Sequence, residues 1–140
     1  MEITRQTDYA IRCVLYLSKK QDRPIVAVEE ISGEMAIPRS FLSKIVQRLT
    51  KAGILASFRG MSGGFRLARK PSAITLLDVI EAMQGSVASN KCAIDTMQCG
   101  LSCTCIVHPV WVALKKRTED YLRKVNFANL GKGARENIKK

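Results

Sequence analysis

Residues 38–68 read PRSFLSKIVQRLTKAGILASFRGMSGGFRLA, and this stretch decides the fold. In its first half Leu42, Ile45, Val46 and Leu49 recur at helical spacing, with Phe41 alongside. The opposite face carries Ser40, Ser43, Lys44, Gln47 and Lys51, an i, i+3, i+4, i+7, i+11 series. Pro38 suits a helix start and Gly53 a left-handed stop, so the pattern predicts a helix from Pro38 to Ala52. The second half holds two apolar stretches, Ile54–Phe58 and Phe65–Ala68, around Arg59-Gly60-Met61-Ser62-Gly63-Gly64. Glycine at that density between strand-like runs predicts a hairpin.

Upstream, residues 8–20 (DYAIRCVLYLSKK) repeat Ala10, Ile11, Val14, Leu15 and Leu17 as a helix does, with Thr7 or Asp8 available as its cap. A turn at 21–24 leads to a short helix around Glu29–Met35, which Ala36-Ile37-Pro38 ends. A helix, a turn, a second helix and a hairpin is the order of a winged helix-turn-helix domain. In that geometry the second helix enters the major groove of DNA and the hairpin reaches backbone or minor groove. The expected contacts are Arg39, Ser40, Ser43, Lys44, Gln47, Arg48 and Lys51 from the helix, with Arg59 and Gly60 from the wing. The blander alternative for the helix residues is an exposed surface with no special role.

Charge supports the DNA reading. The chain has 140 residues, 15.5 kDa, and a net charge of +11 with pI near 9.8. Residues 1–34 are nearly neutral, with five basic and six acidic side chains. Between Glu34 and Asp78 no acidic residue occurs, yet eight basic ones do: Arg39, Lys44, Arg48, Lys51, Arg59, Arg66, Arg69 and Lys70. Solvated faces usually mix signs, whereas a surface that meets phosphates segregates them. Apolar runs are too short for a bilayer span, and the N-terminus lacks the apolar centre of a signal peptide. A cytoplasmic protein with no membrane partner is expected.

Downstream, Thr75-x-x-Asp78 opens a further helix as a capping box and Gly85 closes it. Residues 86–106 lack periodicity and hold four of the five cysteines. A long helix resumes at Pro109 with Trp111, Leu114, Tyr121, Leu122 and Val125 on one side, too apolar a stripe to leave in water. The expected fold is mostly α: a winged helix-turn-helix domain with a two-stranded wing over 1–85, a cysteine-rich cluster loop over 86–106 and a dimerisation helix over 107–126. Residues 127–140 are expected to be a basic, mobile tail.

Cys13 falls inside the first helix, where cysteine is a common small core residue. The other four form C-x6-C-x3-C-x-C, Cys92, Cys99, Cys103 and Cys105, with His108 three residues further on. In a cytoplasmic chain such a set does not read as disulfides, and soft thiolates suit an iron–sulfur cluster or zinc. Zinc would take four thiolates, or three with the imidazole. His108 is either a ligand or a plain helix-capping residue.

These residues carry a resemblance. The motifs Arg5-x-Thr7-Asp8-Tyr9-Ala10, F-R-G-x-x-G-G-F over 58–65, and C-x6-C-x5-C-x2-H-P-x-W over 92–111 resemble the bacterial winged-helix regulators typified by the iron–sulfur cluster regulator IscR and the nitric-oxide-sensitive repressor NsrR. The resemblance spans about residues 1–126. It implies a homodimer with crossing long helices, a palindrome-like double-stranded DNA operator, and a cluster held by Cys92, Cys99 and Cys105. The fourth ligand it implies is His108 with a 2Fe-2S cluster, or Asp8 of the partner chain with a 4Fe-4S cluster. The spacing departs from the family's by one additional residue between the first two cysteines and by the extra Cys103, an alternative thiol. The expected function is a repressor that senses redox state, nitric oxide or iron–sulfur status. A zinc- or thiol-based DNA-binding regulator is the alternative, and a small iron–sulfur electron carrier a remoter one. No nucleophile–base pair, phosphate loop or acid–base carboxylate pair is present, so neither an enzyme nor a small-molecule substrate is expected.

Overall fold

The computed structural model describes residues 1–138, with side chains to Lys132. Helix α1 (Arg5–Ser18) starts a turn before the expected cap, because Thr4 Oγ1 accepts from Thr7 N–H at 3.2 Å. Helix α2 (Val28–Met35) ends where Ala36 turns left-handed at φ 53°, and Ser32 Oγ donates to the Ile37 carbonyl at 2.7 Å to fix the corner. Helix α3 (Arg39–Lys51) follows, with Pro38 as its N-cap and Gly53 in the left-handed region at φ 76°. The expected helix-turn-helix is present. Its buried stripe is Leu42, Ile45, Val46 and Leu49, as the periodicity predicts.

Strands β1 (Leu55–Phe58) and β2 (Gly64–Leu67) pair antiparallel, from Leu55 opposite Leu67 to Phe58 opposite Gly64. Val26 adds a bridge to Phe65, exchanging backbone bonds of 2.9 and 2.8 Å, and so ties the wing to the entry of α2. That approach leaves no room for a side chain at Gly64, where a Cβ would lie 2.2 Å from the Val26 carbonyl oxygen. Gly64→Ala is therefore expected to destabilise the fold by about 1–3 kcal/mol, since backbone must move to admit the methyl group. Urea denaturation checks this through a lower midpoint at unchanged slope.

Helix α4 (Leu76–Gln84) has the expected capping box, with Thr75 and Asp78 bonded both ways at 2.9 and 3.1 Å. Residues 86–107 contain two short 3-10 turns, Lys91–Ala93 and Thr96–Gln98, before α5 (His108–Lys124). The core gathers Ala10, Cys13, Val14 and Leu17 of α1 against Leu42, Ile45 and Leu49 of α3, with Ile54, Ile74 and Val79. A second cluster of Leu77, Ile80 and Val87 receives Leu122 of α5. No helix among the described residues is long and apolar enough to cross a membrane.

Two expectations need correction. The segment after Asn126 is a helix, α6 (Phe127–Ile138), rather than a free tail. Phe127 is fully buried in the main core, and its N–H donates to the Ile74 carbonyl at 3.1 Å. One aromatic anchor outweighs the polar character of its neighbours. Residues 139 and 140 lie outside the described residues. The stripe expected on the long helix is also divided: Leu122 packs within its own chain, whereas Tyr121 is 71% exposed and Leu114 is also exposed.

Candidate DNA interface and thiol loop

Recognition-helix candidates Ser40, Ser43, Lys44, Gln47 and Lys51 are all exposed along α3, opposite its buried stripe. Between α3 and the wing runs a cleft lined by Ser43 and Gln47 on one side and by Arg59, Gly60 and Met61 on the other. Among the described residues, no ion pair engages Lys44, Lys51 or Arg59, so their charges are available to a polyanion. Ser43 Oγ donates to the Arg39 carbonyl at 3.1 Å, which leaves its lone pairs free to accept.

The two flanking arginines are different. Arg39 pairs with Glu29 of α2 at 2.6 Å, both side chains well exposed. Arg48 donates from Nη1 to the Met83 carbonyl at 2.8 Å, satisfying the C-terminal turn of α4. The structure thus places Arg48 as a strut between α3 and α4 rather than with the cleft residues. Sequence pattern alone gave no sign of this, because Met83 lies 35 positions away.

The cysteines divide as expected. Cys13 is fully buried, and burial pushes its thiol up to about 12. Cys103 and Cys105 are exposed, Cys92 and Cys99 half-buried, and all five are free thiols. In metal-free protein at about pH 8 a soluble alkylating reagent is expected to label the four loop cysteines and spare Cys13, because the thiolate is the nucleophile. Intact mass after native and denatured labelling reads the difference directly.

The loop is held by backbone bonds. Cys105 N–H donates to the Leu101 carbonyl at 2.7 Å, and Ser102 Oγ donates to the Cys99 carbonyl at 3.0 Å. His108 opens α5, and its Nδ1 is buried without a hydrogen-bond partner. Among the described residues, no three His, Cys, Asp or Glu side chains converge as a metal site. The chemistry of the donors nevertheless suits a thiolate-ligated metal group: four free thiols in one loop and, three residues further along the chain, an imidazole nitrogen that the protein leaves unpaired. Asp8 is not so free, since its carboxylate pairs with Arg12 at 2.8 Å.

Comparison with known proteins agrees with the fold. The family described as "Rrf2: Iron-dependent Transcriptional regulator" matches residues 3–133. The HTH-type transcriptional regulator IscR of Vibrio campbellii is 31% identical over 132 residues, covering 94% of this chain and 78% of that one. Among solved structures, T. potens IscR superposes with a TM-score of 0.76 at 24% identity, covering 98% of this chain and 90% of its own. CymR, described as the global cysteine regulator of B. subtilis, gives a TM-score of 0.76 at 21% identity, with 94% and 97% covered. At these identities the two structures speak for the fold alone.

Proposed function

From the premise that the chain belongs to the Rrf2 family of DNA-binding transcriptional regulators, not enzymes, we propose that it is a cytoplasmic, homodimeric repressor whose DNA affinity is set by an iron–sulfur cluster. Cys92, Cys99 and Cys105 would hold the cluster, with His108 as the fourth ligand. The observation that carries this reading is the buried, unpartnered Nδ1 of His108, three residues in sequence after the last of four free loop thiols. When bound, the cluster supplies a centre that oxidants, nitric oxide or iron shortage destroy.

The chain's own contacts offer a route from loop to groove. The loop leads directly into α5. At its other end Leu122 packs on Leu77 and Ile80 of α4, and Leu76 N–H donates to the Val125 carbonyl at 2.8 Å. Helix α4 is tied to α3 through Arg48 and Met83. Coupling requires that the loaded loop favour one arrangement of these helices over another.

A second copy is suggested by α5, none of whose side chains is fully buried within one chain. Val110, Leu114 and Tyr121 are exposed along one face there, and Ile106 just before it is 90% exposed. A two-fold dimer through this face would set two α3 helices in successive major grooves of a palindrome-like site.

Anaerobic purification tests the proposal. A brown protein with visible charge-transfer absorption, iron and sulfide supports it, with loaded and cluster-free forms differing in DNA affinity at matched salt. A colourless protein that carries zinc, or only thiols, favours the second reading, a zinc- or thiol-based regulator. That reading draws on the exposed, ungathered thiols of the loop. Sedimentation of the wild type at micromolar concentration separates dimer from monomer.

A further inference from the structure

Met61 is the most exposed large apolar side chain among the described residues, at 107% relative exposure. It stands at the hairpin tip, on the rim of the cleft shared by α3 and the wing. The tip is a closed turn. Gly63 N–H closes a turn onto the Gly60 carbonyl at 3.0 Å, with Gly60 at φ 109°. A Cβ at Gly63 would lie 2.4 Å from the Phe58 carbonyl oxygen, so this turn requires glycine there. At its base the Arg66 guanidinium lies over the Phe58 ring, 5.0 Å from the centroid.

A single exposed methionine is ordinary on most surfaces. This one is presented at the end of the two-stranded hairpin, two residues after the unpaired Arg59 and within the acid-free segment. We infer that Met61 is a wedge that enters the minor groove and partly unstacks one base step on each flank of the bound DNA. The inference rests on the DNA-binding reading above. Apolar side chains, methionine among them, open base steps in this way in minor-groove binders. The unbranched, polarizable thioether adapts to the irregular gap between bases. Arg59 supplies the charge that holds the tip in a groove of negative potential. Pyrimidine–purine steps such as TA and CA/TG open most easily, so Met61 selects them at a position that α3 does not touch.

The test starts by selecting duplexes from a random library with the wild-type protein, then placing 2-aminopurine at the enriched flanking step. Wild type and Met61→Leu should both raise its fluorescence on binding. Met61→Ala, which removes only exposed atoms, should lose that rise and bind the preferred step about tenfold more weakly, with preference under α3 unchanged. Retention of the step preference and the fluorescence rise by Met61→Ala overturns the wedge. Enrichment of duplexes without a preferred flanking step overturns the wedge while leaving the DNA reading intact. If wild type enriches no duplex at all, both fall.

Discussion

Replacing Lys44, Lys51 and Arg59 together by alanine is expected to lower DNA affinity by several hundred-fold per half-site at about 0.1 M salt. The figure follows from counterion release. Each phosphate contact contributes about 0.9 to the slope of log affinity against log salt, so three contribute about 2.7 in each half-site and about 5.4 in a dimer bound to both. These residues are chosen because they are exposed and unpaired among the described residues. Losing them costs no internal ion pair, and the fold should melt as the wild type does. Arg48, turned to the Met83 carbonyl, is the control. Arg48→Ala should change the salt slope much less and should instead loosen the α3–α4 contact. Gln47→Ala should leave the slope alone and relax base preference at one position, costing on the order of 1–3 kcal/mol there. Equal slopes for the triple variant and the wild type would remove the α3-and-wing assignment.

The parts of this molecule that were readable in sequence are those set by local chemistry. The α3 stripe follows from period alone, the wing from glycines that backbone contacts demand, and the α4 start from a reciprocal pair three residues apart. What escaped was set by distant partners. Thr4, Thr7 and Asp8 are all good caps, and the choice of Thr4 comes with Thr7 being fully buried and bonded to it. Helix α6 reads as a tail because polar residues and glycines surround Phe127, whose place in the core depends on α1 and Ile74. The division of the α5 stripe, Leu122 inward and Tyr121 outward, depends on where α4 lies. For the thiol loop, sequence identified the donors but not their arrangement, since no regular hydrogen-bond ladder fixes residues 86–107.

Cluster content should therefore follow individual donors in an all-or-none way. Alanine at Cys92, Cys99 or Cys105 is expected to abolish visible absorption and bound iron, because a site reduced to two thiolates opens iron to water and oxidant. Cys103→Ala should keep both. Cys103 and Cys105 are separated by one residue within a single turn, where Cys105 N–H is bonded to the Leu101 carbonyl, so the two thiols compete for one corner. The fourth position separates on contacts already made. Asp8 would have to leave Arg12, at 2.8 Å, before it could reach a partner's loop, whereas His108 Nδ1 gives up no bond by ligating. His108→Ala should thus shift the visible spectrum and hasten cluster loss in air, while Asp8→Ala leaves both unchanged. The reverse pattern would assign the corner to the partner's carboxylate. Loss of the cluster in Cys103→Ala with retention in Cys105→Ala would mean that the additional residue between Cys92 and Cys99 has moved the third thiolate by one turn position.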